Sequence, residues 1–250
     1  MDLGLAGKTA VVTGGSRGIG KGIVDAFVEE GMTVLAVARE SDALDDLGAH
    51  PSGQVHTFAA DLSDPLQAPA VADYALRLFD NVDVLVNNAG GSRRGPFADL
   101  SYADWTWHLD MNITATALVT QAFADHFIGK NSGKVINIAS TTAIRGVANL
   151  VAYCTVKGAI LQFTRALAVE WAAHRVQVNA IGPGAFATRA QDRLTQGPAD
   201  ALAERLSRIP DGRMGEPAEA GALACYLASS KADHITGALY MIDGAESVEL

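Results

Sequence analysis

Short apolar runs alternate with longer stretches of helical periodicity along this chain of 250 residues. The apolar runs predict seven strands, at residues 9–13, 33–38, 55–58, 83–86, 134–138, 176–180 and 238–242. The helical stretches predict helices at residues 19–30 and 64–79, from Ser101 onward, and at residues 150–173 and 217–228. Strands separated by helices of this length form βαβ units. The pattern therefore predicts one α/β domain over residues 1–250, with a doubly wound parallel sheet covered by helices on both faces.

Two stretches depart from this alternation. Residues 150–173 are apolar on nearly all sides of the predicted helix, so we expect one side to meet the sheet and another to meet a second subunit. Complete burial within a monomer is the alternative. The stretch from residue 183 to residue 215 has no strand character, and we predict a substrate lid at about 185–215 rather than a second domain.

Composition and charge narrow the class of protein. Apolar residues make up 49% and charged residues 19% of the chain, as in folded globular proteins. The net charge of −9 argues against a nucleic-acid partner or an anionic membrane surface. Cys154 and Cys225 provide neither a disulfide framework nor a metal-ligand cluster. With no secretory signal and no long apolar run, we expect a cytoplasmic protein with no membrane partner and no metal.

A glycine-rich loop joins the first strand to the first helix, in the order Thr13-Gly14-Gly15-Ser16-Arg17-Gly18-Ile19-Gly20. Glycines let the backbone turn tightly and approach a pyrophosphate, while the helix N-terminus favours an anion. A tight turn without a ligand is the alternative. We predict a nucleotide site, with candidate contacts at Gly14, Ser16, Arg17, Gly18, Ile19 and Gly20.

The residue after the second strand bears on which nucleotide binds. NAD sites tend to place Asp or Glu there, and this chain has Arg39. Arg17 and Arg39 together could hold a ribose phosphate through charge-assisted hydrogen bonds. We therefore predict NADP(H) as the preferred cofactor. NAD(H) is the alternative, with Arg39 in solvent and Glu40 on the ribose.

Tyr153 and Lys157 are four residues apart, so they share one face of a helix, and Ser140 lies thirteen residues before the tyrosine. A nearby ammonium favours the phenolate and lowers the pKa of a tyrosine. A proton-transferring group works best when its pKa lies near the operating pH. The pair is thus a candidate for general acid–base chemistry, and Ser140 could hold an oxygen.

The chain resembles the classical short-chain dehydrogenase/reductase family over essentially its whole length. The resemblance lies in four motifs and their order, namely the glycine-rich loop, Asn87-Asn88-Ala89-Gly90, Ser140 and Tyr153-x3-Lys157. The resemblance implies that Tyr153 donates and accepts the proton, and that Ser140 holds the substrate oxygen. Lys157 would lower the pKa of Tyr153 and bind the nicotinamide ribose. Asn112 matches the family's fourth catalytic position, a water relay to the lysine. A kinked helix position is the alternative for Asn112.

The same resemblance implies further cofactor contacts. Asp61 and Leu62 match the pair that contacts adenine, and Asn88, Ala89 and Gly90 would line the cofactor cleft. Pro183, Gly184 and Thr188 match the segment that holds the nicotinamide end. The family also implies a Rossmann-like sheet of seven parallel strands and usually a homotetramer.

The implied activity is NADP(H)-dependent interconversion of a ketone and a secondary alcohol. Residues 178–184 and 209–215 most resemble 3-oxoacyl-carrier-protein reductases and gluconate or deoxygluconate dehydrogenases, which leaves the small-molecule substrate open. Arg93, Arg94 and Arg145 could bind an anionic substrate, and a solvated or intersubunit salt bridge is the alternative. His108 is expected to pack rather than to react. The alternatives are an NAD(H)-dependent sugar-acid or polyol dehydrogenase and a nucleotide-binding sensor without turnover.

Overall fold

The computed structural model describes residues 2–188 and 199–248, which form one parallel sheet flanked by helices. The strands are β1 (Thr9–Thr13), β2 (Thr33–Ala38), β3 (Val55–Ala59), β4 (Val84–Asn87), β5 (Gly133–Ile138), β6 (Val176–Pro183) and β7 (Leu239–Ile242). Their order across the sheet is β3-β2-β1-β4-β5-β6-β7. The predicted doubly wound sheet of seven parallel strands is therefore confirmed. Chain order reverses between β1 and β4, which opens a crevice at the carboxyl ends of these strands.

The helices of the described residues cover both faces of the sheet. They are α1 (Gly18–Glu29), α2 (Asp42–Gly48), α3 (Ala68–Phe79), α4 (Tyr102–His108), α5 (Ala115–Ala122), α6 (Ala124–Lys130), α7 (Val151–Trp171), α8 (Ala199–Leu206) and α9 (Pro217–Ala228). A local signal explains the start of α4. The Ser101 hydroxyl accepts a hydrogen bond from the backbone N–H of Asp104 at 3.0 Å and caps α4.

The core lies in two layers, one on each face of the sheet. Val12 of β1 packs with Ile23 and Phe27 of α1 on one face. The neighbouring Val11 packs on the other face, in the cluster that includes Phe127 and Trp171. Successive strand residues point to opposite faces, so a run of apolar residues is what a strand between two helical layers requires.

The helices differ from the predicted ones in three places. The long helix predicted from Ser101 is divided, because a π-helical turn, Leu109–Thr114, separates α4 from α5. The stretch at residues 64–79 begins with a 3₁₀ turn, Pro65–Gln67, before α3. Helix α2 was not predicted, since it spans 7 residues and buries only two leucines. Of the predicted lid, residues 189–198 lie outside the described residues, and the described remainder includes α8.

Helix α7 buries one side against the sheet and leaves apolar residues on another. Val156 and Ile160 are buried, whereas Val169 is 81% and Val151 42% exposed. The predicted second-subunit contact is consistent with this surface and stays a prediction. Among residues 2–188 and 199–248, no helix is long and apolar enough to cross a bilayer. The same residues contain no cluster of His, Cys, Asp and Glu suited to a metal ion.

Candidate active site

The glycine-rich loop between β1 and α1 is held in shape by the segment that follows β4. The Asn88 side-chain amide donates to the carbonyl oxygens of Thr13 and Gly14, at 3.0 Å each. In return, the Thr13 hydroxyl accepts hydrogen bonds from the backbone N–H groups of Asn88 and Ala89, also at 3.0 Å. Asn88 therefore has a structural role at the cleft, since its amide fixes the carbonyl groups of the loop.

The loop requires glycine at the positions where the backbone turns or passes closest to itself. Gly14 and Gly18 have φ of 64° and 54°, in the left-handed region that favours glycine. A Cβ at Gly20 would lie 2.2 Å from the Gly14 carbonyl oxygen. Arg17, the residue before α1, makes no side-chain cap, so the first amides of this helix are available to an anion.

The two arginines predicted to select the cofactor stand at the edge of this loop. Arg17 and Arg39 are both exposed. Within the described residues neither guanidinium has a hydrogen bond or an ion pair. Hydrogen bonds from Ser63 lower the pKa of Asp61, and the positive charge of Arg39 lowers it further. Arg39 thus acts electrostatically on the Asp61 carboxylate, next to the buried Leu62.

The candidate proton-transfer residues lie between the end of β5 and the first turns of α7. Ser140 is buried just beyond β5, and its hydroxyl accepts a hydrogen bond from the Thr142 N–H at 3.2 Å. The Lys157 ammonium donates to the carbonyl oxygen of Ile138 at 2.9 Å, and its Nζ lies 5.6 Å from the Tyr153 ring centre. The fold thus brings Ser140, Tyr153 and Lys157 together at the carboxyl edge of the sheet.

Burial controls the pKa values of this pair. It raises the pKa of Tyr153 to about 12, although a hydrogen bond with Ser140 acts in the opposite direction. It also lowers the pKa of Lys157 to about 8. We expected Lys157 to lower the pKa of Tyr153. Among the described residues burial makes the net shift upward, and the contribution of Lys157 stays a prediction. The cost of an ionised phenol in a buried place outweighs the effect of an ammonium that bonds to a backbone carbonyl.

Asn112 lies in the π-helical turn, fully buried. Its Nδ2 donates to the carbonyl oxygens of Gly91 and His108 at 3.0 Å, and its Oδ1 accepts from the Gly91 N–H at 3.3 Å. A Cβ at Gly90 would lie 2.8 Å from Asn112 Oδ1 and 3.4 Å from Lys157 Nζ. Asn112 therefore occupies a kinked helix position and also lies near the lysine. Single-turn π-helices are frequent at functional sites.

His108 has a connecting role that the sequence did not indicate beyond packing. It is fully buried. Its Nε2 accepts a hydrogen bond from the backbone N–H of Arg93 at 3.0 Å, and its Nδ1 lies 2.7 Å from the Asp104 carbonyl oxygen, to which it must donate. Together with the Asn112 bond to its carbonyl, His108 ties the segment after β4 to the turn that carries Asn112. In the sequence, the only indication of this role was the position of His108, one helical turn before Asn112.

The arginines considered for substrate binding are partly occupied. Arg93 pairs with Asp104 at 2.5 Å and stacks over Trp107, with 4.1 Å between the guanidinium carbon and the ring centre. Arg145 pairs with Glu246 at 2.6 Å. Both arginines therefore form ion pairs within this chain, while Arg94 is exposed, and their part in substrate binding stays a prediction.

The segment after β6 closes the cleft on the far side. The Gly184 N–H donates to the Ile242 carbonyl oxygen at 2.9 Å, so the chain beyond Pro183 follows β7. A Cβ at Gly18 would lie 3.2 Å from Thr188 Cγ2, which places Thr188 against the glycine-rich loop. A cavity of about 600 Å³ lies beside this contact, between α1 and α9, with Cys225 in its lining. This cavity is lined by none of the four proton-transfer residues.

Comparison with known proteins agrees with this architecture. The family model for short chain dehydrogenase matches residues 8–199. D-threitol dehydrogenase of Mycolicibacterium smegmatis is 35% identical over 251 residues, covering 99% of this chain and 96% of the relative. 2-Dehydro-3-deoxy-D-gluconate 5-dehydrogenase of Escherichia coli is 35% identical over 243 residues, covering 96% of this chain and 95% of the relative.

Solved structures show the same fold. A crystal structure from Agrobacterium tumefaciens with bound NADP is 34% identical, with a TM-score of 0.88 over 98% of both chains. The Pseudomonas aeruginosa RhlG/NADP active-site complex is 34% identical, with a TM-score of 0.92 over 97% of both chains. With this agreement in sequence and fold, the chain belongs to the short-chain dehydrogenase/reductase family and is an NAD(P)-dependent oxidoreductase of CH–OH and C=O groups.

Proposed function

We propose that this protein uses NADP(H) to interconvert a secondary alcohol and a ketone in a polyol or sugar-acid substrate. The observation that carries the proposal is the convergence of Ser140, Tyr153, Lys157 and Asn112 on the crevice beside the glycine-rich loop. A protein that only binds a nucleotide has no need of this buried proton-transfer set. The names of the relatives, a D-threitol dehydrogenase and a deoxygluconate dehydrogenase, support the substrate class.

The residues present fit a dinucleotide cofactor. Backbone crowding at Gly14 and Gly20 leaves no room for side chains at these two positions, and the open amides of α1 would hold the pyrophosphate. Gly90 and Lys157 would lie along the nicotinamide half, and Arg39 along the adenosine half. When bound, the nicotinamide supplies or accepts the hydride. All proton movements fall to the protein.

The pKa of Tyr153 assigns its role in the reduction direction. With a pKa of about 12, the phenol is protonated at neutral pH and can donate its proton to a developing alkoxide. The Ser140 hydroxyl would hold the same oxygen and stabilise its charge. In the oxidation direction the phenolate must act as the base. The charged form of Lys157 favours this phenolate, and its pKa of about 8 keeps it mainly charged at neutral pH.

The first test uses a substrate panel with a matched variant. Purified protein is assayed with NADP⁺ against polyols and sugar acids, and with NADPH against 3-oxoacyl esters. Tyr153→Phe removes only the hydroxyl and should lower turnover by roughly 10²- to 10⁴-fold while cofactor affinity is kept. Near-normal turnover by this variant would show that another group transfers the proton. Turnover by the wild type on 3-oxoacyl esters alone would contradict the proposed substrate class.

The NADP(H) preference is tested separately at Arg39. Its exposed guanidinium has no ion-pair partner within residues 2–188 and 199–248, so it is available to a ribose phosphate. Arg39→Gln should raise the KM for NADP⁺ about 10-fold or more and leave the KM for NAD⁺ nearly unchanged, because hydrogen bonds to charged groups contribute about 1.5–3 kcal/mol. Arg77→Gln, at an exposed position of α3, is the control. Equal effects on both cofactors would refute the assignment.

The tetramer implied by the family is part of the same proposal. The exposed Val169 and Val151 on α7 support a contact between subunits through this helix. Light scattering on the purified protein measures the mass directly. A mass near the 26.0 kDa of one chain would exclude the assembly.

A further inference from the structure

A carboxylate near the end of the chain is buried between two arginines. Glu246 is 3% exposed. Its Oε1 accepts from Arg145 Nη2 at 2.6 Å and from Arg205 Nη2 at 2.9 Å, and its Oε2 accepts from Arg205 Nη2 at 3.0 Å. The backbone carbonyl of Glu246 also accepts a hydrogen bond from Arg145 Nη1. We call Glu246, Arg145 and Arg205 the tail cluster.

The members of the tail cluster come from three segments around the substrate side of the cleft. Arg145 lies five residues after Ser140, on the loop that leaves β5. Arg205 lies on α8, in the described part of the predicted lid. Glu246 lies in the C-terminal tail, residues 243–248, which follows β7. These segments are far apart in sequence, so the side chains of the tail cluster connect them directly.

The Glu246 carboxylate also touches the end of β6. A Cβ at Gly184 would lie 3.0 Å from Glu246 Oε2 and 2.8 Å from the Cβ of Asp243. In addition, the Asp211 N–H donates to the Gly244 carbonyl oxygen at 3.1 Å. The tail therefore contacts the strand end that lines the cleft and the segment that follows α8.

The tail cluster depends on the negative charge of Glu246. The two guanidiniums are held close together around a single carboxylate, so the tail cluster has a net charge of +1. Removing the carboxylate leaves two partly buried like charges with no negative charge between them, and these charges repel each other. We expect α8 and the loop of Arg145 to separate when this happens, because each carries one of the two charges.

We propose that Glu246 is a positioning residue, which fixes the substrate side of the cleft by holding α8 and the loop after Ser140 against the end of β6. It does not contact the reacting atoms, and the cofactor loop lies on the other side of the cleft. The inference about catalysis rests on the proposed function. The inference about structure can be tested without any substrate.

Glu246→Gln removes the charge and keeps the shape. We expect the KM for the alcohol substrate to rise about 10- to 100-fold, because small displacements of a binding surface have large kinetic effects. NADP(H) affinity should stay within twofold of the wild type. Amide hydrogen exchange of α8 should become faster. Glu204→Gln is the control. Glu204 lies on α8 and forms an exposed pair with Arg208, two residues beyond the end of this helix, so the substitution should change none of these quantities.

Two further variants separate positioning from a loss of stability. Glu246→Asp keeps the charge and should recover most of the substrate affinity. Arg205→Gln leaves Glu246 one partner. The double variant Glu246→Gln/Arg205→Gln should lose less substrate affinity than the sum of the losses in the two single variants, because the residues act as one unit.

Several results would overturn the inference. One is a Glu246→Gln variant with lower thermal stability but unchanged KM and unchanged exchange of α8. Another is a loss of NADP(H) affinity equal to the loss of substrate affinity, which would place the effect on the whole fold. If the wild type turns over no substrate in the panel, the proposed function fails. The exchange of α8 in Glu246→Gln and Glu204→Gln then still decides whether the tail cluster holds this helix.

Discussion

Gly20→Ala should damage the cofactor loop in a way that can be calculated from the structure. The added Cβ would lie 2.2 Å from the Gly14 carbonyl oxygen and 2.5 Å from Asn88 Nδ2, below the 3.0 Å that real Cβ contacts respect. The loop must therefore move by about 1 Å, which breaks or lengthens the two Asn88 hydrogen bonds that hold it. Two such bonds contribute roughly 1–3 kcal/mol together, so NADP(H) affinity should fall about 5- to 150-fold.

The effect on stability is smaller because two contributions oppose each other. Overpacking costs about 1–3 kcal/mol, while alanine in place of glycine inside a helix gains about 1 kcal/mol. We expect the free energy of unfolding to fall by about 2 kcal/mol at most. Cofactor affinity should thus be affected more than stability, and the two are measured by NADPH fluorescence titration and by urea unfolding.

Gly129→Ala is the matched control. Gly129 lies within α6, and a Cβ there would meet nothing within 4 Å. This variant should gain stability, by about 1 kcal/mol at most, and should bind NADPH as the wild type does. If Gly20→Ala also binds NADPH with wild-type affinity, the close approach of Gly20 to Gly14 does not matter for the site. The argument from loop crowding would then be refuted.

Two other predictions concern buried ionisable groups. Burial lowers the pKa of Lys157 to about 8 from 10.5, so between these pH values the unfolded chain binds a proton that the folded chain has lost, and stability from this group rises with pH. The wild type should therefore gain about 2–3 kcal/mol in free energy of unfolding relative to Lys157→Met between pH 7.5 and pH 10, as measured by urea unfolding. A difference that does not change with pH would contradict the buried ammonium. His108→Leu should lower kcat by disturbing Asn112, with NADPH affinity kept. Steady-state kinetics and titration together test this, and a parallel loss of both would indicate general misfolding.

The sheet could be predicted because its physical signal is local. Each strand lies between two helical layers, so apolar residues follow one another along it, as in Val11 and Val12. The proximity of Ser140, Tyr153 and Lys157 could be predicted as well, since strand ends and a shared helix face bring these residues together. The π-helical turn around Asn112 could not, because it has the same residue pattern as a continuous helix.

Other features depend on contacts between distant parts of the chain. The pKa of Tyr153 is raised because packed neighbours desolvate the phenol, which the spacing from Lys157 does not reveal. Glu246 and Arg145 are 101 residues apart, and nothing in either local sequence indicates that they meet. A buried charge pair of this kind becomes visible only when the fold is known.

The hydrogen bonds from Asn88 to Thr13 and Gly14 have a consequence for the kinetics of association. They give the glycine-rich loop its shape from within the protein, so the loop is already ordered before a pyrophosphate arrives. The conformational entropy of the loop is lost during folding rather than during binding. We therefore expect cofactor capture to be limited by diffusion and orientation, with little contribution from loop ordering.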